Sequence, residues 1–235
     1  MSENKLQHIV LIIPALNEEL GISNVLQGIP PGIFQEIVVS DNGSTDRTAE
    51  VAAHWGATIV FEPRRGYGSA CLAAISYLKN KILTHPIDLV VFLDADNSDH
   101  PSDIFKILMP FEKNEVMMVI GSRVLGNREE DALLSHQQFG NLMATSLIKW
   151  LYGTQFTDLG PFRAIRWSAL ISLDMQDIDF GWTVEMQIKA AKNKWTCVEV
   201  PVDYRKRLGK SKISGTLKGS ILAGHKILWT IFKLL

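Results

Sequence analysis

Two carboxylates two positions apart, Asp94 and Asp96, end the run Leu89-Val90-Val91-Phe92-Leu93-Asp94-Ala95-Asp96-Asn97. The apolar residues ahead of them read as a short strand buried on both faces. Side chains alternate along a strand, so both carboxylates share one side if the extended conformation reaches them. About 5 Å apart, they repel by roughly 3 kcal/mol at an effective dielectric of about 20. A helix dipole, worth about 0.3–1 kcal/mol, does not offset that alone. A bound cation does, and oxygen ligands favour Mg²⁺ or Mn²⁺. The spacing alone equally allows a structural reading, with one Asp capping the next helix and the other solvated.

The surrounding pattern indicates what positions this pair. Ile9–Ile13 predicts a strand stopped by Pro14, and residues 18–27 a helix with Ile22, Val25 and Leu26 inward. A second strand, residues 36–40, leads into Asp41-Asn42-Gly43-Ser44-Thr45-Asp46, where Ser44 or Thr45 would cap a helix over residues 46–54. Strand 58–61 follows, then a long helix opened by Gly66-Tyr67-Gly68-Ser69, the Asp94 strand, a helix from Pro101 to about Glu112, and strand 116–120. This alternation predicts an α/β domain with a mainly parallel central sheet flanked by helices. In such sheets ligands gather beyond the carboxyl ends of the strands. Asn17-Glu18, Asp41-Asn42, Arg64-Arg65, Asp94-Asp96 and Arg123 all fall at such ends.

The second half is less regular. A charged loop covers residues 127–135, a helix residues 137–151, a turn and short strand residues 157–165, a helix residues 182–192 and a late strand residues 195–202. Between Tyr204 and Ser214 five basic residues, Arg205, Lys206, Arg207, Lys210 and Lys212, form a cationic loop. With 235 residues, 46% hydrophobic and 21% charged, the chain has an ordinary globular composition. A net charge of −1 gives no reason to expect nucleic acid as a partner. Cys71 and Cys197 lie far apart without metal-ligand spacing and read as buried thiols of a reducing compartment. No secretory signal and no run long enough to span a bilayer is visible, so the expected location is the cytoplasm.

The order of the motifs resembles family 2 glycosyltransferases of the GT-A, Rossmann-like fold. The resemblance rests on Ile13-Pro14-Ala15-Leu16-Asn17-Glu18-Glu19, the Asp41–Asp46 turn, Asp94-Ala95-Asp96 and Gly121-Ser122-Arg123. Residues 157–164, 180–186 and 199–202, with Arg207-Leu208-Gly209-Lys210-Ser211-Lys212-Ile213-Ser214, are similar to the branch that makes dolichyl- or polyprenyl-phosphate mannose or glucose. It covers nearly the whole chain to about residue 216 and implies one GT-A domain, residues 1–215, before a separate tail. It implies that Pro14, Ala15, Glu18, Asp41 and Asn42 line the nucleotide pocket and that Asp94 and Asp96 bind the metal. Arg123 and the Arg205–Lys212 loop would meet phosphates, Lys210 and Lys212 those of the acceptor. The family often has Asp where this chain has Asn42, and mannose synthases usually have Gln where it has Ser98, which leaves uracil and guanine donors both open.

In such a reaction charge builds on the departing diphosphate, where a divalent cation acts as a Lewis acid. Arg64 and Arg65, beside the helix start at Gly66 and Gly68, would add charge and backbone N–H donors, unless they are a solvated surface feature. Asp158 is the candidate base for a hydroxyl acceptor. A phosphate monoester is already mostly dianionic at neutral pH and needs none. Glu185 is expected to orient a basic residue. The expected function is therefore an inverting transfer of a hexose from a UDP- or GDP-sugar to a polyprenyl phosphate. The alternatives are a soluble hydroxyl acceptor or a non-catalytic nucleotide-sugar-binding protein. The tail, residues 216–235, has apolar residues near helical spacing with Lys218, Lys226 and Lys233 interleaved. It reads as an amphipathic helix that lies peripherally in a membrane interface or packs on its own domain or a second subunit of a homo-oligomer.

Overall fold

A computed structural model describes residues 8–81, 85–209 and 217–235. Seven strands form one sheet: β1 (Ile9–Ala15), β2 (Glu36–Asp41), β3 (Thr58–Phe61), β4 (Leu89–Phe92), β5 (Val116–Ser122), β6 (Arg163–Arg166) and β7 (Thr196–Pro201). Their order is β3-β2-β1-β4-β6-β5-β7, with β6 alone antiparallel to its neighbours. The chain builds outward from β1 to β3, then crosses back to lay β4 on the other side of β1. That reversal creates a crevice beyond the carboxyl ends of β1 and β4, where open α/β sheets bind ligands.

Alternation along the strands divides the core into two layers. Val10, Ile12, Val90, Phe92 and Ile120 face helices α3 (Tyr67–Asn80), α5 (Ser135–Tyr152), α6 (Trp167–Ser172) and α7 (Trp182–Lys192). Leu11, Ile13, Val39, Val91 and Val119 face α1 (Glu19–Gly28), α2 (Thr48–His54) and α4 (Ile104–Leu108). Burial on both faces explains why the β4 sequence is apolar without interruption. A last helix, α8 (Leu217–Lys233), rests against α5 and α7. The expected boundary between residues 215 and 216 lies outside the described residues.

Three local expectations are corrected. Pro14 does not stop β1, which runs on to Ala15. The β1–β4 ladder ends at the Ile12–Phe92 rung, so no partner there requires the N–H that proline lacks. Neither Ser44 nor Thr45 caps α2, which starts at Thr48. Asp46 Oδ1 accepts the Thr48 N–H at 3.0 Å, while Ser44 accepts the Asn17 N–H at 2.9 Å. The helix expected between Pro101 and Glu112 is α4 with a 3₁₀ turn on either side, the second carrying Pro110.

Candidate active site

Two loops meet at the crevice and are stitched together by short polar side chains. After β1, Asn17 takes a left-handed conformation (φ 52°) that Asn tolerates better than most residues. Its Oδ1 accepts the Thr45 N–H at 2.7 Å, and the Glu18 N–H donates to Thr48 Oγ1 at 2.8 Å. The β1–α1 and β2–α2 connections thus hold each other in place, and Glu18 is presented at the rim.

Strand β4 ends at Phe92, so Asp94 and Asp96 sit in the turn beyond it rather than on an extended strand. Ser98 fixes Asp96 through its backbone N–H, 2.9 Å from Oδ1. The other oxygen of Asp96 lies 3.1 Å from the Arg207 guanidinium, which also reaches Glu18 Oε1 at 2.9 Å. Tyr67, from the first turn of α3, donates its hydroxyl to Asp94 Oδ1 at 3.1 Å. Burial and the neighbouring charge of Asp96 push the Asp94 carboxyl up to about 7. The site therefore favours positive charge, and Arg207 already supplies one.

A divalent ion fits this donor set. Asp94 and Asp96 offer hard oxygen ligands in a place whose electrostatics reward a cation. Among the described residues no group of three His, Cys, Asp or Glu side chains could hold an ion unaided. Mg²⁺ and Mn²⁺ commonly take a few carboxylates and complete their shell with water and substrate phosphate. Arg207 Nε is buried and has no hydrogen-bond partner among the described residues, a donor suited to an anionic ligand.

A cavity of about 360 Å³ opens at this point. Of the residues singled out from sequence, Pro14, Ala15, Glu18, Asn42, Arg65, Gly66, Asp94 and Asp96 line it. Tyr67, Asp179, Phe180 and Arg207 also line it, with Leu16, Ala70 and Ala95. Asp179 was not expected, and Phe180 was noted only as part of a motif. They arrive on the segment that precedes α7, which lies against α3 where Ser69 N–H donates to Ile178 O at 2.8 Å. Glu185 does orient a basic residue, Lys189, at 2.7 Å. It also accepts the backbone N–H groups of Gln176 and Asp177, which holds this segment in place.

Other expected site residues stand elsewhere. Asp41 is buried with its carboxylate accepting the Ser44 N–H, inside the turn rather than in the cavity wall. The Gly66 N–H is not open to a phosphate, because Asn42 Oδ1 accepts it at 2.8 Å. Gly68 serves close packing: a Cβ there would overlap the Asp177 carbonyl oxygen. Arg123 and Asp158 form a bidentate pair, with Nε–Oδ2 2.8 Å and Nη2–Oδ1 2.7 Å, and neither is among the residues that line the cavity. Burial opposes ionisation of Asp158, but the Arg123 charge and its hydrogen bonds prevail and hold the carboxyl below its ordinary value. In this structure the Asp158 carboxylate is fully buried and both its oxygens accept from Arg123. Lys210 and Lys212 lie outside the described residues.

Asn42 has a physical reason to be an amide. Its Nδ2 donates to the carbonyl oxygens of Glu62 (3.1 Å) and Arg64 (2.8 Å) while Oδ1 accepts from Gly66. An ionised carboxylate could make only the last of these bonds. The residue braces the 62–66 segment that carries Arg65 into the cavity.

Comparison with known proteins agrees with this architecture. An uncharacterized glycosyltransferase of Mycobacterium bovis is 36% identical over 220 residues, 92% of this chain and 94% of the relative. A dolichyl-phosphate hexose transferase of Haloferax volcanii is 27% identical over 225 residues, covering 94% and 93% of the two chains. Glucosyl-3-phosphoglycerate synthase from Mycobacterium tuberculosis, crystallised with Mn²⁺, uridine diphosphate and phosphoglyceric acid, superposes with a TM-score of 0.75 at 21% identity. The match spans 97% of this chain and 78% of that one, a likeness of fold. Residues 10–173 match the family described as glycosyl transferase family 2, and the chain is a member of that family.

Proposed function

We propose that this glycosyltransferase moves a hexose from a nucleotide-diphosphate sugar to a polyprenyl phosphate, with inversion and with Mg²⁺ or Mn²⁺ held by Asp94 and Asp96. One observation carries the reading: two carboxylates and a guanidinium converge on one cavity at the point where the strand order reverses. That set can hold both a cation and the diphosphate it accompanies. When bound, the ion neutralises charge accumulating on the leaving diphosphate. Arg207 then has an anion to turn to, and Arg65 adds positive charge in the cavity wall. Pro14, Ala15 and the braced 62–66 segment give the base and ribose a rigid floor.

Among the described residues no histidine lines the cavity, and Glu18 is engaged by Arg207. A phosphate nucleophile is already anionic and suits such a site. The named activity of the Haloferax relative supports the same class. A hydroxyl acceptor remains the second reading because of Asp179, a wall carboxylate whose pKa is raised by its burial and by the nearby charge of Asp177. Replacing Asp179 by Asn should abolish turnover if it deprotonates a hydroxyl and largely spare it if the acceptor is a phosphate.

Titration calorimetry with UDP-glucose and GDP-mannose, with Mn²⁺ or EDTA, tests the donor half. Metal-dependent binding of one of them is expected, with binding and transfer to polyprenyl phosphate both lost in Asp96→Ala. Undiminished transfer by that variant would overturn the proposal.

A further inference from the structure

Helices α5 and α8 touch each other at the surface, and each turns an apolar stripe away from the core. On α5 the stripe is Phe139, Leu142 and Trp150; on α8 it is Leu222, Trp229 and Phe232. Trp150 is 78% exposed and Trp229 58%. These positions recur at helical spacing opposite the buried Ala144 and Ile148 of α5 and Ile231 of α8, so neither helix lacks a core-facing side. Each has a second apolar face that the described residues leave uncovered.

Charge indicates what covers it. Neither helix contains a single Asp or Glu. Lys149 adjoins Trp150, Lys233 adjoins Phe232, and both lysines are exposed. Lys192, also exposed, reaches the Leu234 carbonyl at the end of α8. Two tryptophan-bearing apolar stripes on helices that carry lysines and no acidic residue match an anionic bilayer surface, where aromatic rings enter the headgroup region and lysines meet lipid phosphates. The patch is also tied to the cavity. Lys226 of α8 pairs with Asp177 at 3.0 Å, two residues ahead of the wall residue Asp179.

We propose that the joint face of α5 and α8 docks the protein peripherally on anionic lipid. The inference deepens the reading of a membrane-borne acceptor phosphate and gains its purpose from it, yet its vesicle-binding readout needs neither donor nor acceptor. In a flotation assay with full-length protein, vesicles of phosphatidylcholine and phosphatidylglycerol in equal parts should carry the protein upward and shift tryptophan emission to the blue. Pure phosphatidylcholine vesicles should bind several-fold less, roughly fivefold for each lysine engaged. Trp150→Glu and Trp229→Glu should each weaken binding on the order of tenfold, with circular dichroism and donor affinity unchanged. Lys149→Glu, which leaves both rings in place, should lose the preference for anionic lipid. Failure to bind anionic vesicles, or binding unaffected by these changes, would overturn the proposal. So would sedimentation showing that the tryptophan changes only split a dimer, which would make the face an interface between two copies. Calorimetric donor binding stands apart from all these outcomes, so an error in the proposed function would be visible separately.

Discussion

Arg207 does at the residue scale what the reaction would require of a metal: it brings positive charge to Asp96 and Glu18. Removing it should help the bare ion and harm the donor. Arg207→Ala is expected to bind Mn²⁺ alone more tightly, as read by electron paramagnetic resonance, and to bind the nucleotide sugar weaker on the order of tenfold. The Arg123–Asp158 pair acts differently, since it reaches no cavity wall. Asp158→Asn leaves a buried guanidinium without its counter-charge and should cost about 3–5 kcal/mol in urea unfolding. The Asp158 carboxyl is held below its ordinary value when folded. Its contribution is therefore complete above the unfolded carboxylate range and is lost as pH falls below about 4. A urea midpoint falling less steeply with acid in Asp158→Asn than in the parent would show this. Asn42→Asp should destabilise by about 1–3 kcal/mol, because two carbonyl groups lose their donor and face a carboxylate instead.

Between elements, backbone contacts position the site. Gly21 of α1 lies so close to the Asp94–Asp96 turn that a Cβ would overlap the Ala95 carbonyl oxygen, and Gly68 of α3 presses on the segment bearing Asp179 and Phe180 in the same way. Alanine at Gly21 should displace the metal turn. The expected result is donor affinity reduced by tenfold or more, with a stability loss of about 1–3 kcal/mol typical of overpacking. Calorimetry and urea unfolding on one preparation separate the two effects. Such contacts could not be anticipated from glycine positions alone. Gly66-Tyr67-Gly68 suggested a phosphate-binding turn, whereas Gly66 is bonded to Asn42 and Gly68 meets a backbone carbonyl.

For the whole molecule, the crevice lies at the seam between the β1–β3 half and the half beginning with β4. A ligand that bridges Pro14, Asn42 and Asp96 ties the halves together. Mn²⁺ with the preferred donor at about a hundred times its dissociation constant should raise the melting temperature by about 5–10 °C. EDTA should remove that gain, and a donor that stabilises equally in EDTA would argue against the ion as its partner. Among the described residues no helix is long and apolar enough to cross a membrane.

Strand and helix alternation was legible in the chain because apolar period and turn residues are local properties. Those same properties marked the rim clusters, from which Glu18, Asn42, Arg65, Asp94 and Asp96 do line the cavity, whereas Pro14 and Ala15 were pointed to by the family resemblance. Partnership was not legible. Nothing near Asp158 in the chain announces Arg123, nothing near Asp96 announces Arg207, and the route by which Asp179 reaches the wall runs through α3. Whether a carboxylate is free to act or already neutralised depends on charges brought from distant segments by the sheet's reversal, and only folding decides that.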